Sequence, residues 1–491
     1  PDTTRSFTPA SMPRAAAPLT FSRASPLWRR AAAAKARAAA PAALRSSAFC
    51  PPLIACGCHG LARVRAGFAS TVRSTWLLRE GAQLNCAPDT LPEAFQDYID
   101  EVCEAAEASL KRYPVPMGYP MNHHQTGALE QVTLAIQAVN GGEVLNNCVD
   151  PFDFESSHWK THTLEQEKKL ILRFLEEWGA PEGKGYGHVT TGGTEGNLEG
   201  IRAGISRFGP ESKTLTIYSD QTHASVPKVC ETQLRTPTAI VPSLPNGQMD
   251  PERLAEVIDV SRNVLSHDKY VLVATIGTTF KGANDDVAAL TRAMESVGVN
   301  RREDVHVHVD AALNGGFWNL IEDGRAQRLR IGHEIDSLSM SSHKWHGGFV
   351  GGVIIMANPA DTAIEVPYLG FTDRMASGSR DGMVAPKWHA RLRQFDWLEE
   401  FRRCEANAHL LLQALRERGI AAHRNDPGVI VVFPKPSDAF CDRFQLAAHG
   451  DLAHVCVMPH VSEQIVGAFL EELDHDEGGE TVRRMREAEF D

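Results

Sequence analysis

The 491-residue chain reads as an α/β protein, with a large domain on a mainly parallel seven-stranded sheet and a smaller α+β C-terminal domain. Three observations predict this. Beyond Glu80, short β-rich runs alternate with longer amphipathic stretches. A glycine-rich turn, Thr190 to Asn197, joins a strand candidate to a helix candidate. Finally, His223, Asp310 and Lys344 each fall at or just past the end of an apolar run, where open α/β sheets keep their ligands.

The expected strands are Gly187 to Thr190, Thr214 to Tyr218, Ala239 to Val241, Tyr270 to Thr275, Val305 to Val309, Ile335 to Ser339 and Phe349 to Met356. Their β-branched content and short length suit buried parallel strands. Between them, Thr163 to Glu177, Gly196 to Arg207, Pro251 to Ser266 and Val287 to Val297 carry apolar residues at helical spacing. Expected domains are an N-terminal segment over 76–139, a large domain over 140–369 and a small domain over 370–491. The small domain opens on the polar stretch Gly370 to Gly382, read as a flexible loop. It continues through a helix at Asp396 to Arg418, strands at Val429 to Phe433 and Ala453 to Val457, and a helix near Val461 to Leu473. The charged tail Asp474 to Asp491 is expected to fray.

Residues 1–75 are different material. No Asp or Glu occurs from Thr3 to Arg79, while arginines such as Arg14, Arg29, Arg37 and Arg63 recur among Ala, Ser and Pro. That is the composition of an organellar transit peptide, plastid or mitochondrial; a disordered tail or a misassigned upstream exon is the alternative. If it is a targeting segment the protein is organellar, and otherwise cytoplasmic. The formal net charge of -12 argues against a nucleic-acid partner. No run of eighteen apolar residues predicts a membrane span, and the ten cysteines lack paired Cys-x-x-Cys spacing.

The chemistry concentrates in four places. Thr-Thr-Gly-Gly-Thr-Glu-Gly-Asn from Thr190 to Asn197 enters a helix, so its backbone N–H groups and helix dipole suit a phosphate, with Gly193 close by and Thr194 donating its hydroxyl. It lacks the Gly-Lys-Ser/Thr ending of a Walker site. Asp310 ends Val-His-Val-His-Val-Asp, where a carboxylate could keep a pyridine nitrogen protonated; alternation also puts His306, His308 and Asp310 on one strand face, a zinc or iron alternative. His223 follows a strand and could lie flat on a planar ring, while Thr275 ends another strand at the same edge. Lys344, in Ser-Ser-His-Lys-Trp, stands where a pyridoxal phosphate enzyme keeps its Schiff-base lysine.

Taken in order, Thr-Gly-Gly-Thr-Glu-Gly-Asn, Ser-Asp-Gln-Thr-His-Ala-Ser-Val, Ile-Gly-Thr-Thr, Asp-Ala-Ala and Ser-His-Lys resemble the group II pyridoxal phosphate decarboxylases of fold type I. The likeness runs from about Gly118 to Leu473 and is nearest to the branch of bacterial histidine decarboxylase and plant serine decarboxylase; Gln445 to Pro459 leans toward serine. The resemblance implies a pyridoxal 5'-phosphate cofactor joined to Lys344, its phosphate held by His343, Gly193 and Thr194. It implies that His223 stacks on the ring, Asp310 pairs with the pyridinium, Ala312 packs on the opposite face and Thr275 hydrogen-bonds nearby. It also implies a homodimer and decarboxylation of an L-amino acid to its amine and carbon dioxide, with L-serine favoured and L-histidine the alternative; an aminotransferase or carbon–carbon lyase is a further alternative. Tyr368 is the expected proton donor, and Arg380 the expected contact for an anionic group. Ala224, Gly192 and Trp345-His346 depart from the family's Tyr, the plant Cys and the serine branch's Phe-Val, which bears on substrate identity.

Overall fold

In a computed structural model of the chain, the described residues are 98–488, apart from 99, 107, 109–114, 125, 126, 141, 142, 361 and 362. The arginine-rich stretch read as a transit peptide lies outside them. Seven strands form the main sheet: β1 Tyr186–Thr190, β2 Thr214–Ser219, β3 Thr238–Val241, β4 Lys269–Thr275, β5 Val305–Asp310, β6 Ser337–Ser341 and β7 Gly352–Met356. Their order is β1-β7-β6-β5-β4-β2-β3, and β7 alone runs antiparallel to its neighbours. β6 starts two residues later than expected, and β7 begins only at Gly352 because Gly347 and Gly348, both at positive φ, spend the preceding stretch on a turn.

The central strands are buried on both faces, as the near-continuous apolar runs demand. On one side, α1 (Leu164–Glu177) contributes Leu170, Ile171 and Phe174 to the main core. Across the sheet lies α2 (Gly193–Phe208), whose inner face is made of glycines at helical spacing. A Cβ on Gly196 would fall 2.6 Å from Ser339 Cβ, one on Gly200 2.1 Å from His308 Nδ1, and one on Gly204 2.8 Å from the His306 ring. Glycine is required at these positions by the closeness of helix to strand.

The second sheet joins β10 (His423–Arg424), β11 (Ile430–Pro434), β13 (Leu452–Cys456) and β12 (Ala447–His449) in that order, and the hairpin of β8 (Ile364–Val366) and β9 (Phe371–Asp373) stands apart. Helix α3 (Trp397–Glu417) straddles the two cores: Trp397, Phe401 and Cys404 pack into the main one, and Ala408, Leu411, Leu412 and Leu415 into the second. Three features depart from the sequence reading. The C-terminal stretch does not fray as a whole, since Glu480–Glu487 is helical and its Val482 and Met485 are buried in the second core. Helices at Val384–Gln394 and Asp438–Phe444 were not anticipated; the first is interrupted in sequence by Pro386, which sits within its first turn where no intrahelical N–H is needed. The third is Gly370 to Gly382, expected to be a flexible loop. Arg380 is buried and pairs with the buried Glu167 (3.1 Å), while the Ala376 amide donates to Glu199 Oε1 (2.5 Å), so this stretch is fastened to α1 and α2. A buried arginine with a buried carboxylate partner is a structural anchor, so Arg380 does not stand ready for a substrate anion.

The packing of α2 makes a prediction. Gly200→Ala should cost about 1–3 kcal/mol through overpacking against His308. Gly467→Ala, in a helix where a Cβ meets nothing within 4 Å, should instead add about 0.5–1 kcal/mol. Urea unfolding followed by circular dichroism reads both, and a wild-type midpoint for Gly200→Ala would contradict the close approach.

Candidate active site

The site is assembled where β4, β5 and β6 end. Thr275, Asp310 and Ser339 are register partners across these three strands. Beyond β6 the chain turns through Ser342, His343 and Lys344, and the turn is closed by Gly347 N–H to the Ser342 carbonyl (2.7 Å). Asn122 straps it from outside, its amide N–H reaching the Lys344 carbonyl (3.1 Å) and its Nδ2 the Trp345 carbonyl (2.8 Å). A Cβ on Gly347 would fall 2.6 Å from Asn122, so the strap needs glycine there.

Desolvation pulls the Lys344 ammonium below the usual lysine range, against the opposing charge of Asp310. A lysine so placed is more readily neutral, and a neutral amine is the nucleophile that carbonyl chemistry requires. Asp310 is buried; its Oδ1 accepts the Ala312 amide N–H (3.1 Å) and its Oδ2 the Asn197 Nδ2 (2.8 Å). His223 keeps an exposed ring while its Nδ1 is met by Ser225 Oγ (2.8 Å) and the Ser225 amide (3.1 Å). Burial of the nitrogen side and the nearby Lys344 charge lower its pKa, with Asp310 opposing.

The glycine-rich turn closes the other side. Gly192 adopts φ 154°, a conformation that essentially only glycine takes, and Gly193 opens α2. The Gly193 amide donates to Ser341 Oγ (3.2 Å), and a Cβ there would come within 2.9 Å of that oxygen. Glu195 Oε2 accepts both the Thr191 amide and hydroxyl at 2.7 Å, fixing the turn. Thr194 is exposed, and His343 Nδ1 is buried without a hydrogen-bond partner. Its Cε1 lies 3.8 Å from where a Gly192 Cβ would stand. An unsatisfied imidazole nitrogen beside a helix N-terminus fits an anionic group, and the exposed His223 ring, Asp310 and Lys344 fit a planar pyridine aldehyde. The residues present therefore fit pyridoxal phosphate.

Of the sequence-predicted residues, Lys344, His343, His223, Asp310, Gly193, Thr194, Ala312 and Thr275 come to this sheet edge. Thr275 is held through its backbone, its amide donating to Asp285 Oδ2 (2.7 Å); Asp285 is fully buried and desolvation raises its pKa to about 6. Tyr368 is 79% exposed at the tip of the β8–β9 hairpin, which hydrogen-bonds to Ser157 and His158 and not to the Lys344 cluster. The metal alternative on β5 meets occupied nitrogens: His306 Nε2 faces Ser337 Oγ (2.9 Å), and His308 faces Ser337 Oγ (2.8 Å) and Asn197 Oδ1 (3.0 Å). Among the described residues no group of three or more His, Cys, Asp or Glu could hold a metal ion, and no helix is long and apolar enough to cross a membrane. Sequence reasoning missed Asn122, Ser225, Ser341 and Asp285, although Ser225 and Ser341 lie within the motifs Ser-Asp-Gln-Thr-His-Ala-Ser-Val and Ser-Ser-His-Lys-Trp.

A lysine, an aspartate and a histidine converging at the ends of a mainly parallel seven-stranded sheet, beside a phosphate cradle, define a pyridoxal phosphate enzyme of fold type I. The pyridoxal-dependent decarboxylase conserved domain matches residues 173–372. Histidine decarboxylase of Vibrio campbellii is 31% identical over 324 residues, covering 65% of this chain and 81% of that protein. The enzyme of the same name from Pseudomonas entomophila is 31% identical over 391 residues, covering 78% and 91%. The fold is shared with L-methionine decarboxylase of Streptomyces sp. 590 (TM-score 0.65, 23% identity, 80% of this chain and 98% of that one). It is shared as well with tryptophan decarboxylase of Catharanthus roseus (TM-score 0.62, 18% identity, 89% and 99%). The chain belongs to the pyridoxal-dependent decarboxylase family, in the branch of the bacterial histidine decarboxylases, and it is a pyridoxal phosphate-dependent amino acid decarboxylase.

Buried neutral histidines give the fold a pH signature. Burial lowers His306 and His460 to about 4, and His308 and His346 to about 3. Above the ordinary histidine value of about 6.5 neither folded nor unfolded chain is protonated at these sites; below it the unfolded chain binds protons first. Stability should therefore fall as pH drops from about 6.5 toward 4, each histidine contributing at most about 1.4 kcal/mol per pH unit. Melting temperatures measured from pH 7.5 to 4.5 should decline steadily below 6.5, and a flat profile would contradict the assignment.

Proposed function

We propose that the protein converts L-histidine to histamine and carbon dioxide. The observation that carries this reading is the 31% identity to proteins named histidine decarboxylase across 81% and 91% of their length. L-Serine, which the stretch Gln445 to Pro459 favours, has less support. In the structure that stretch is largely structural: Gln445 to Ala447 pack against Gly118, where a Cβ would sit 2.1 Å from the Gln445 carbonyl, and His454 Nε2 lies 2.9 Å from the Gly118 carbonyl. Most of the stretch therefore seats the N-terminal segment, while its Cys456 acts on Lys344 and borders the site.

When bound, pyridoxal phosphate supplies an electron sink for the pair left on Cα as carbon dioxide departs. The chain's residues supply the rest. Lys344 would be the attachment point, and desolvation favours its neutral amine. The Asp310 carboxylate would keep the pyridine nitrogen protonated, and the Ala312 amide and Asn197 Nδ2 fix which way it points. His223 and Ala312 would confine the ring and keep water from its faces. His343, Gly193 and Thr194 would hold the phosphate.

Purified enzyme given carboxyl-labelled amino acids should release labelled carbon dioxide from L-histidine with a higher kcat/KM than from L-serine; the reverse order would assign the serine activity. Lys344→Ala should lose both the visible absorbance of the attached cofactor and turnover. Asp310→Asn should keep the cofactor and lose far more than tenfold in rate, and a change of less than about 1.4 kcal/mol in barrier would remove its role.

We further propose that the enzyme is a homodimer in which the β8–β9 hairpin reaches the partner's site. What supports this is the exposure of Tyr368 at the tip and of Ile364, 69% exposed, at the base of one hairpin, which among the described residues makes no hydrogen bond to the Lys344 cluster of its own chain. A partner's surface would cover both side chains. Tyr368 would then return the proton to Cα across it. Tyr368→Phe is expected to slow decarboxylation or divert it to side products with cofactor affinity nearly unchanged. An active monomer by light scattering at assay concentration would overturn the shared site, and an unaltered rate and product profile would remove Tyr368 as donor.

A further inference from the structure

Asn197 lies on the glycine face of α2, buried between the helix and the strand ends, and every polar atom of its side chain is engaged. Its Nδ2 donates to Asp310 Oδ2 (2.8 Å) and to Ser225 Oγ (3.0 Å). Its Oδ1 accepts from Ser339 Oγ (2.7 Å) and faces His308 Nε2 (3.0 Å). An ionised carboxylate only accepts, so the NH2 end of the amide has to face Asp310 and the oxygen end His308. That choice orders the protons around it. His308 must donate through Nε2; burial holds it neutral, at about 3, so its Nδ1 is bare and takes the Ser337 hydroxyl (2.8 Å). On the other branch Ser225 Oγ accepts a hydrogen bond from Asn197 Nδ2, which turns the hydroxyl's own hydrogen toward His223 Nδ1 (2.8 Å). The Ser225 amide N–H points at the same nitrogen (3.1 Å). A ring nitrogen that takes two donors carries no proton, so the proton of neutral His223 is on Nε2.

We propose that Asn197 is a positioning residue of this site: a single amide group fixes the Asp310 carboxylate and, through Ser225, holds His223 as the Nε2–H tautomer. The strand pair His308 and Ser339 sets the orientation of that amide from behind. His308, which the sequence pattern offered as a metal ligand, thus backs the pyridine-binding aspartate through Asn197. The inference rests on the roles proposed above for Asp310 and His223, and its tautomer and titration readouts need no turnover.

Full-length holoenzyme labelled with 15N-histidine should show His308 and His223 as neutral Nε2–H tautomers at pH 7.5, assigned by single replacement of each; either one in the Nδ1–H form overturns the order. Asn197→Asp keeps the shape but turns a second acceptor on Asp310 and offers His308 an anion. It should lower kcat about ten- to a hundredfold with KM little changed, and His308 should begin to titrate at higher pH than in the parent. Ser225→Ala removes only the hydroxyl that donates to the neutral ring, so the His223 titration should move upward while the cofactor absorbance is retained. It carries the test should Asn197→Asp fail to fold. An unmoved His223 titration in Ser225→Ala, or a parental kcat in Asn197→Asp, overturns the proposal. Because the spectra do not depend on which amino acid is turned over, an enzyme inactive on L-histidine with the expected tautomers would refute the substrate and leave the role of Asn197 standing.

Discussion

The close approach of α2 to strands β5 and β6 is the constraint on which the site depends. Glycines 196, 200 and 204 bring the helix backbone onto Ser339, His308 and His306, and this places Gly193 against Ser341 at the helix N-terminus. The same approach encloses a polar layer that would be costly if left unpaired. Ser337, His308, Asn197 and Ser339 pair within it, so the helix that would hold the phosphate also seals the hydrogen bonds that orient the pyridine-binding aspartate. One packing decision thus serves both ends of the cofactor.

Around that layer the protein separates rigid support from exposed contact. Asp285, the Glu167–Arg380 pair and Glu199 are buried carboxylates that hold backbone segments: Asp285 the end of β4, Glu167 the amide of Val189, and Glu199 the stretch near Ala376. Breaking any of them would leave a charge or an amide unpaired in the interior. By contrast Thr194, His223 and Tyr368, three of the side chains that would meet cofactor or substrate, remain open, while Asp310 is buried. Burial alone therefore does not separate Asp310 from the scaffolding acids around it.

The residues legible in the sequence were those whose chemistry and strand-end position coincide. Asp310 and Lys344 each close an apolar run, and the turn at Gly192 and Gly193 sits between a strand and a helix; periodicity alone places such residues at one sheet edge. The glycine face of α2 was visible as glycines but not as a contact surface, because spacing shows that three residues share a face and not which strand meets it. Asn122, Ser341 and Asp285 act through backbone groups far away in sequence, a relation that no local pattern encodes. Gly370 to Gly382 misled because polar, glycine-containing composition predicts mobility only when no buried partner waits, and Glu167, more than 200 positions earlier, is such a partner. The C-terminal helix was obscured by its charge: only Thr481, Val482 and Met485 turn inward, too few to register as an amphipathic pattern.

The strap formed by Gly118 to Asn122 carries a consequence for how portable this site is. It is pinned on one side by the second sheet, where the Cys456 amide binds the Met117 carbonyl (2.7 Å) and His454 sits between the carbonyls of Gly118 and Phe280, and on the other it ties down the lysine turn. Three stretches more than a hundred residues apart therefore close into one mechanical loop around Lys344. The span that carries the recognisable motifs, 173–372, is not a self-sufficient module. Grafting it into another host, or trimming the chain to it, would leave the Lys344 and Trp345 carbonyls without their donors and the lysine turn without its outer wall.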